Sequence, residues 1–94
     1  MNEAEAPEYH RITLSGEYDI ARKGELSEAF AGVVNGAPVV IDMTTVTYVD
    51  STFLSELASM RLRLEHRPIT LIGAGPNILR LFHLTKLDRF FLFQ

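Results

Sequence analysis

Asp50-Ser51-Thr52 is where residue type and spacing promise chemistry: one carboxylate and two hydroxyls directly ahead of an amphipathic run. Two roles suit such a triplet. Asp50 or Ser51 can cap a helix by accepting from the orphan N–H groups of its first turn. A serine hydroxyl left outside that cap is open to a kinase. Other chemistries lack their parts. His10, His66 and His83 are scattered, with no metal-ligand partner at helical spacing, so no metal site is expected. Ser51 sits between Asp50 and Thr52, outside the G-x-S-x-G frame of a hydrolase nucleophile. Gly73-Ala74-Gly75 has the strand-to-helix context of a dinucleotide loop. Its third glycine position is Ile78, however, and no acidic ribose reader follows before Gln94, so a plain turn is expected and no cofactor. With no cysteine, disulfides, thiolate metal sites and thiol nucleophiles are excluded.

The composition narrows the class. Ninety-four residues suit one domain, and 47% hydrophobic with 22% charged residues suits a folded globular chain. The net charge of −3 is uneven: residues 1–47 carry eight Asp/Glu against three Lys/Arg, and residues 48–94 carry four against six. No basic run offers the counterion release that drives nucleic-acid binding, so that partner is not expected. The apolar runs are far shorter than the ~20 residues of a membrane span, and residues 1–8 have no signal-peptide layout. A cytoplasmic address without membrane insertion follows as the expectation.

The elements that position the triplet can be read from periodicity. Residues 1–8 read as a flexible acidic tail. Tyr9–Ser15 alternates as a strand, Gly16 breaks it, and Glu17-Tyr18-Asp19 forms a turn. Leu26, Phe30, Val33 and Val34 recur at helical spacing within 20–34, with Asp19 as N-cap; Gly24 allows a later start, and Asn35-Gly36 before Pro38 is the stop. Val39–Met43 is a nearly continuous apolar run, which predicts a strand covered on both faces; Thr44–Val49 reads as a connection. A second helix runs from Asp50-Ser51 to about His66. Phe53, Leu57, Met60 and Leu64 form its core stripe, and Ser55, Ser59, Arg63 and His66 lie opposite. Phe53 belongs either to that stripe, the reading its periodicity favours, or to the surface as an interface anchor. Ile69–Ile72 is a short strand, Pro76 starts a third helix to about His83, and Phe90–Phe93 is a last strand. This alternation predicts an α/β fold with a mostly parallel sheet of four to five strands and helices packed against it. Functional groups in such sheets gather beyond the carboxyl ends of the strands, so Ser51 and Asp19 are expected on one rim.

Val39-Val40-Ile41-Asp42, Tyr48-Val49-Asp50-Ser51-Thr52 and Leu54, taken with Gly16-Glu17-Tyr18-Asp19, Ile78–Phe82 and Leu84–Leu87, resemble the STAS domain family over residues 9–94. The likeness is nearest to its bacterial anti-sigma factor antagonists. The resemblance implies a non-enzymatic regulator in which Ser51 is phosphorylated. The unmodified form binds an anti-sigma factor that is often also the serine kinase, the sigma factor is released, and a phosphatase resets the switch. The implied partner surface comprises Glu17, Asp19, Asp50, Ser51, Thr52 and Phe53. The same family implies an alternative: an accessory subunit docked on the ATPase of a lipid-transporting ABC system. A module of a larger sensor or anion transporter is a third. The hydroxyl pair leans toward the antagonist, because the accessory type more often sets one hydroxyl among small residues. Three features depart from the family pattern. Phe53 stands where glycine is usual, the 1–8 segment suits a preceding strand poorly, and the sequence stops at Gln94, ahead of the last helix that usually follows the final strand, either because the chain is cut short or because a partner or second copy takes that helix's place. That last departure leaves Phe90–Phe93 open to a partner or to self-association.

Overall fold

A computed structural model of the chain describes residues 9–33 and 36–94. The 1–8 segment, Val34 and Asn35, and the readings placed on them, lie outside the described residues. Strands β1 (His10–Tyr18), β2 (Val39–Val49), β3 (Ile69–Ile72) and β4 (Leu92–Phe93) pair in the order β1-β2-β3-β4, every pair parallel. Helices α1 (Lys23–Ala31), α2 (Ser51–Arg63) and α3 (Pro76–Leu84) connect successive strands. This is an α/β fold.

Burial along the strands shows which side of the sheet the helices cover. Val39, Ile41, Met43, Ile69 and Leu71 are inaccessible to solvent, whereas Val40, Asp42, Thr70 and Ile72 between them are half-buried. The expectation of a strand covered on both faces over 39–43 is therefore corrected: helices cover one face and the other is half-open. The second face is closed in part by polar contacts: an Arg11 guanidinium nitrogen lies 2.7 Å from an Asp42 carboxylate oxygen. Hydrogen bonds from Thr44, reinforced by Arg11, hold the Asp42 carboxyl below the usual carboxylate range. On the covered face the core joins Leu26 and Phe30 of α1, Phe53, Leu57 and Met60 of α2, and Ile78 and Phe82 of α3.

Two strands run further than the periodicity suggests, and together they build the rim. β1 passes through Gly16 to Tyr18, with register shifts between Thr13 and Ser15 and between Gly16 and Glu17. Gly16 adopts φ +84°, a conformation glycine takes without steric cost, so the irregularity bends the strand instead of ending it. β2 likewise continues through 44–49, paired to β1 up to Tyr18 opposite Val49. Its pairing with β3 ends at Asp42 opposite Ile72, so the far half is covered only where Val46 and Val49 turn inward. Thr44, Thr45, Thr47 and Tyr48 stay exposed. Burial every third residue hides the two-residue strand period, which is why the segment reads as a connection.

The helices begin and end near their expected places. A 3-10 turn (Ile20–Arg22) precedes α1, and α2 closes at Leu64 rather than His66. The final strand is shorter than Phe90–Phe93. Leu87–Phe90 forms a 3-10 turn entered through Lys86 at φ +62°, and only Leu92–Phe93 pairs with β3. Phe91 and Phe93 set their rings edge-on to Phe82, at 5.8 and 5.3 Å between centroids, while Phe90 and Leu92 are exposed.

Candidate functional site

Two aspartate turns lie side by side at the carboxyl ends of β1 and β2. Tyr18 and Val49 are register partners, and the next residues, Asp19 and Asp50, have nearly the same backbone: φ −122°, ψ −168° and φ −124°, ψ −169°. The Asp50 N–H donates to the Tyr18 carbonyl at 3.3 Å, which ties the second turn to the first. Asp19 accepts from the Ala21 N–H at 2.9 Å. Asp50 accepts from the N–H groups of Thr52 and Phe53 at 2.9 and 3.3 Å. The cap of α2 is thus the Asp50 carboxylate, and Ser51 is left outside it.

Ser51 is exposed at the first position of α2, and its hydroxyl makes no hydrogen bond among the described residues. Thr52 beside it is half-buried. Phe53 is 0% exposed, its ring 5.8 Å from that of Tyr18. Its inclusion in the partner surface is therefore corrected. Phe53 supports the start of α2 from beneath and presents nothing to a partner, nor does it cover Ser51. Glu17 lies on the exposed side of β1 opposite Tyr48, which is itself 49% exposed.

Arg22 fastens the first turn. Its guanidinium donates to the carbonyls of Ser15 and Glu17 at 2.7 and 3.2 Å and to the Tyr18 hydroxyl at 3.2 Å, and it lies 4.0 Å from the centre of the Tyr18 ring. Its pairing with Glu25, at 2.6 Å, raises the arginine's pKa and lowers the carboxylate's. Carbonyls freed by the β1 irregularity are thereby satisfied, and Asp19 is held in register with Asp50.

The periodicity missed what surrounds Ser51. Ile20, Lys23, Ser51, Thr52, Ser55 and Glu56 line a shallow recess of about 210 Å³ between the start of α1 and the first turns of α2. Ile20 is 68% exposed there. The signal for Ser55 was present, four residues after Ser51 on one side of α2, but the sequence cannot show that α1 faces that side. Arg63 is a similar case. Read as solvent-facing, it donates to the Val33 and Phe30 carbonyls at 2.8 and 2.7 Å, which closes the end of α1 and holds the two helices together at their far ends.

The remaining sequence candidates resolve into structure. Gly73 has φ +75°, and a Cβ there would collide with the hydroxyl oxygen and Cα of Thr44. The glycine thus serves close packing between the ends of β3 and β2. The Nδ1 of His83 lies 3.0 Å from Asp88, five residues on and across a turn. Among the described residues no three His, Asp or Glu side chains gather into a metal-binding group. No described helix is long and apolar enough to cross a membrane.

This arrangement is similar to that of known proteins. The chain aligns with a crystal structure of an anti-sigma factor antagonist from Mycobacterium paratuberculosis at a TM-score of 0.82 and 29% identity, over 95% of this chain and 79% of that one. It shares its fold with the anti-sigma factor antagonist SpoIIAA in its unphosphorylated form, at a TM-score of 0.63 and 18% identity, over 93% of this chain and 79% of that one. No curated protein sequence matches. The model of a family described as "Mlab, STAS domain" matches residues 1–94, and the chain accordingly belongs to the STAS domain family.

Proposed function

We propose that this STAS protein is an anti-sigma factor antagonist that works by partner exchange. Its unmodified rim, formed by Glu17, Asp19, Asp50, Ser51 and Thr52, binds an anti-sigma factor and so releases a sigma factor. The anti-sigma factor, acting as a serine kinase, phosphorylates Ser51 and ends the complex; a phosphatase restores it. The protein itself is a regulator and not a catalyst. The observation that carries this reading is the exposed, uncommitted Ser51 hydroxyl outside an aspartate cap, next to a second aspartate turn. Likeness to an anti-sigma factor antagonist at 29% identity supports it.

The switch needs no refolding. Phosphorylation adds about −1.5 to −2 charges and three acceptor oxygens. At the first turn of a helix that charge is favoured by about 0.3–1 kcal/mol, so α2 persists. The cost falls on the interface. A dianion beside Asp50 and Asp19 repels an acidic partner surface, and any contact that buries exposed Ile20 must also desolvate the phosphate. A preference of about 2–3 kcal/mol changes affinity roughly 30- to 150-fold, enough for exchange.

Affinity purification from the native host tests the reading. A kinase-type anti-sigma factor should be recovered, and with ATP it should add one phosphate, located at Ser51 by mass spectrometry. Recovery of a transporter ATPase subunit instead, with Ser51→Ala indistinguishable from the parent protein in the cell, would replace this reading with that of an accessory subunit.

A further inference from the structure

The recess beside Ser51 contains a cation that no contact described so far employs. Lys23 opens α1 and shares the recess wall with Ser51, Thr52, Ser55 and Glu56. Ion pairs among the described residues are Arg11–Asp42, Arg22–Glu25 and His83–Asp88, and Lys23 takes part in none of them. The adjacent Arg22 is occupied by two carbonyls, a tyrosine hydroxyl and Glu25, so it is not free to turn toward the recess. The acidic groups nearby are Glu56 in the wall and the two capping aspartates, Asp19 and Asp50. A neutral Ser51 hydroxyl offers Lys23 no charge to pair with, and a phosphate at the same position offers two.

Resting on the reading of Ser51 as a phosphorylation site, the geometry points to Lys23 as the on-chain counter-ion of that phosphate. In the transfer, the Ser51 Oγ–P bond forms as the bond from the γ-phosphorus of a nucleoside triphosphate to its bridging oxygen breaks. The nucleoside diphosphate leaves, and the hydroxyl proton passes to a base of the kinase. The Lys23 ammonium then pairs with the phosphoryl oxygens across the recess. A lysine stem lying over a filled recess also removes the depression in which a partner side chain would seat beside Ile20. Modification therefore acts by occlusion as well as by repulsion. It also links α1 to α2 at the rim, as Arg63 does at the opposite end.

The pairing has a signature that a purely structural lysine would not produce. A cation in contact lowers the second pKa of the phosphate, Glu56, Asp19 and Asp50 push it up, and the α2 N-terminus favours the dianion equally with or without Lys23, so the lysine is read from the difference between variants. Phosphoserine installed at position 51 during translation makes the measurement independent of any kinase. Titration of its phosphorus-31 resonance is then compared in the parent sequence, Lys23→Gln and Lys23→Arg, each checked for native circular dichroism. The second pKa should be lower in the parent than in Lys23→Gln by about half a unit or more, roughly a threefold change in proton affinity, and Lys23→Arg should restore the low value. Agreement of all three within about 0.1 unit overturns the assignment. Failure of a purified kinase-type anti-sigma factor to modify Ser51 would instead count against the proposed function, and would leave the titration unaffected.

Discussion

The turns that follow β2 and β3 do the same geometric task with opposite chemistry. Each delivers a helix N-terminus at the carboxyl end of a parallel strand. After β2 a carboxylate closes the turn: Asp50 takes up two N–H groups, and the next side chain, Ser51, faces solvent. After β3 no side chain caps α3. Gly75 holds the cap position, Pro76 begins the helix, and the Gly75 carbonyl accepts from Ile78 and Leu79 at 3.1 and 2.9 Å. Gly73 presses against Thr44 and donates to the Gln94 carbonyl at 3.0 Å. One turn is stabilised by a polar side chain and keeps a hydroxyl at the surface; the other is stabilised by backbone closeness and has no side-chain cap. A shared position in the fold therefore does not make a site. What differs is the side chain left over once the helix end is satisfied, and on the proposed reading that side chain, Ser51, is the site.

Substitutions can break this contrast at graded cost. Phe53→Ala removes a fully buried ring under the β2–α2 turn and should lower unfolding free energy by about 3–5 kcal/mol, read from urea denaturation. A loss below about 1 kcal/mol would mean that the ring is not the support described. The two glycines of the β3–α3 turn sharpen the comparison further. Gly73→Ala places a methyl group against Thr44 at positive φ and should cost about 2–3 kcal/mol. Gly75→Ala, at φ −72° with only an ordinary contact to Asn77, should change stability by less than about 1 kcal/mol. Equal losses at the two positions would contradict the packing account of Gly73. Asp50→Ala leaves two helix N–H groups without their acceptor and should cost about 1 kcal/mol in the same assay. Ser51→Ala, which touches no cap, should stay within about 0.5 kcal/mol of the parent.

Much of this contrast can be read in the residues. Asp50-Ser51-Thr52 before the stripe Phe53, Leu57, Met60 and Leu64 marks the start of α2, because carboxylate capping and 3.6-residue periodicity agree. Pro76 marks α3 for the same kind of reason. The extensions of β1 and β2 were not legible. A glycine at positive φ imitates a strand end, and burial at Met43, Val46 and Val49 has neither the strand nor the helix period. Phe90–Phe93 looks uniformly apolar, yet a left-handed Lys86 and a 3-10 turn leave only two of its residues to pair. The recess could not be read because it joins Ile20 and Lys23 to Ser51 and Glu56, residues whose proximity depends on α1 packing beside α2. A helix shows in its own sequence which face is apolar, but not what stands opposite its polar face.

The central claim is that charge at residue 51 decides partner binding while the fold stays unchanged. Calorimetric titration of a kinase-type anti-sigma factor with the unmodified protein and with the form carrying phosphoserine at 51 tests it most directly. The account predicts that affinity falls at least about 30-fold on phosphorylation, with circular dichroism unaltered. Equal affinity for the two forms, or tighter binding of the phosphorylated one, would contradict it.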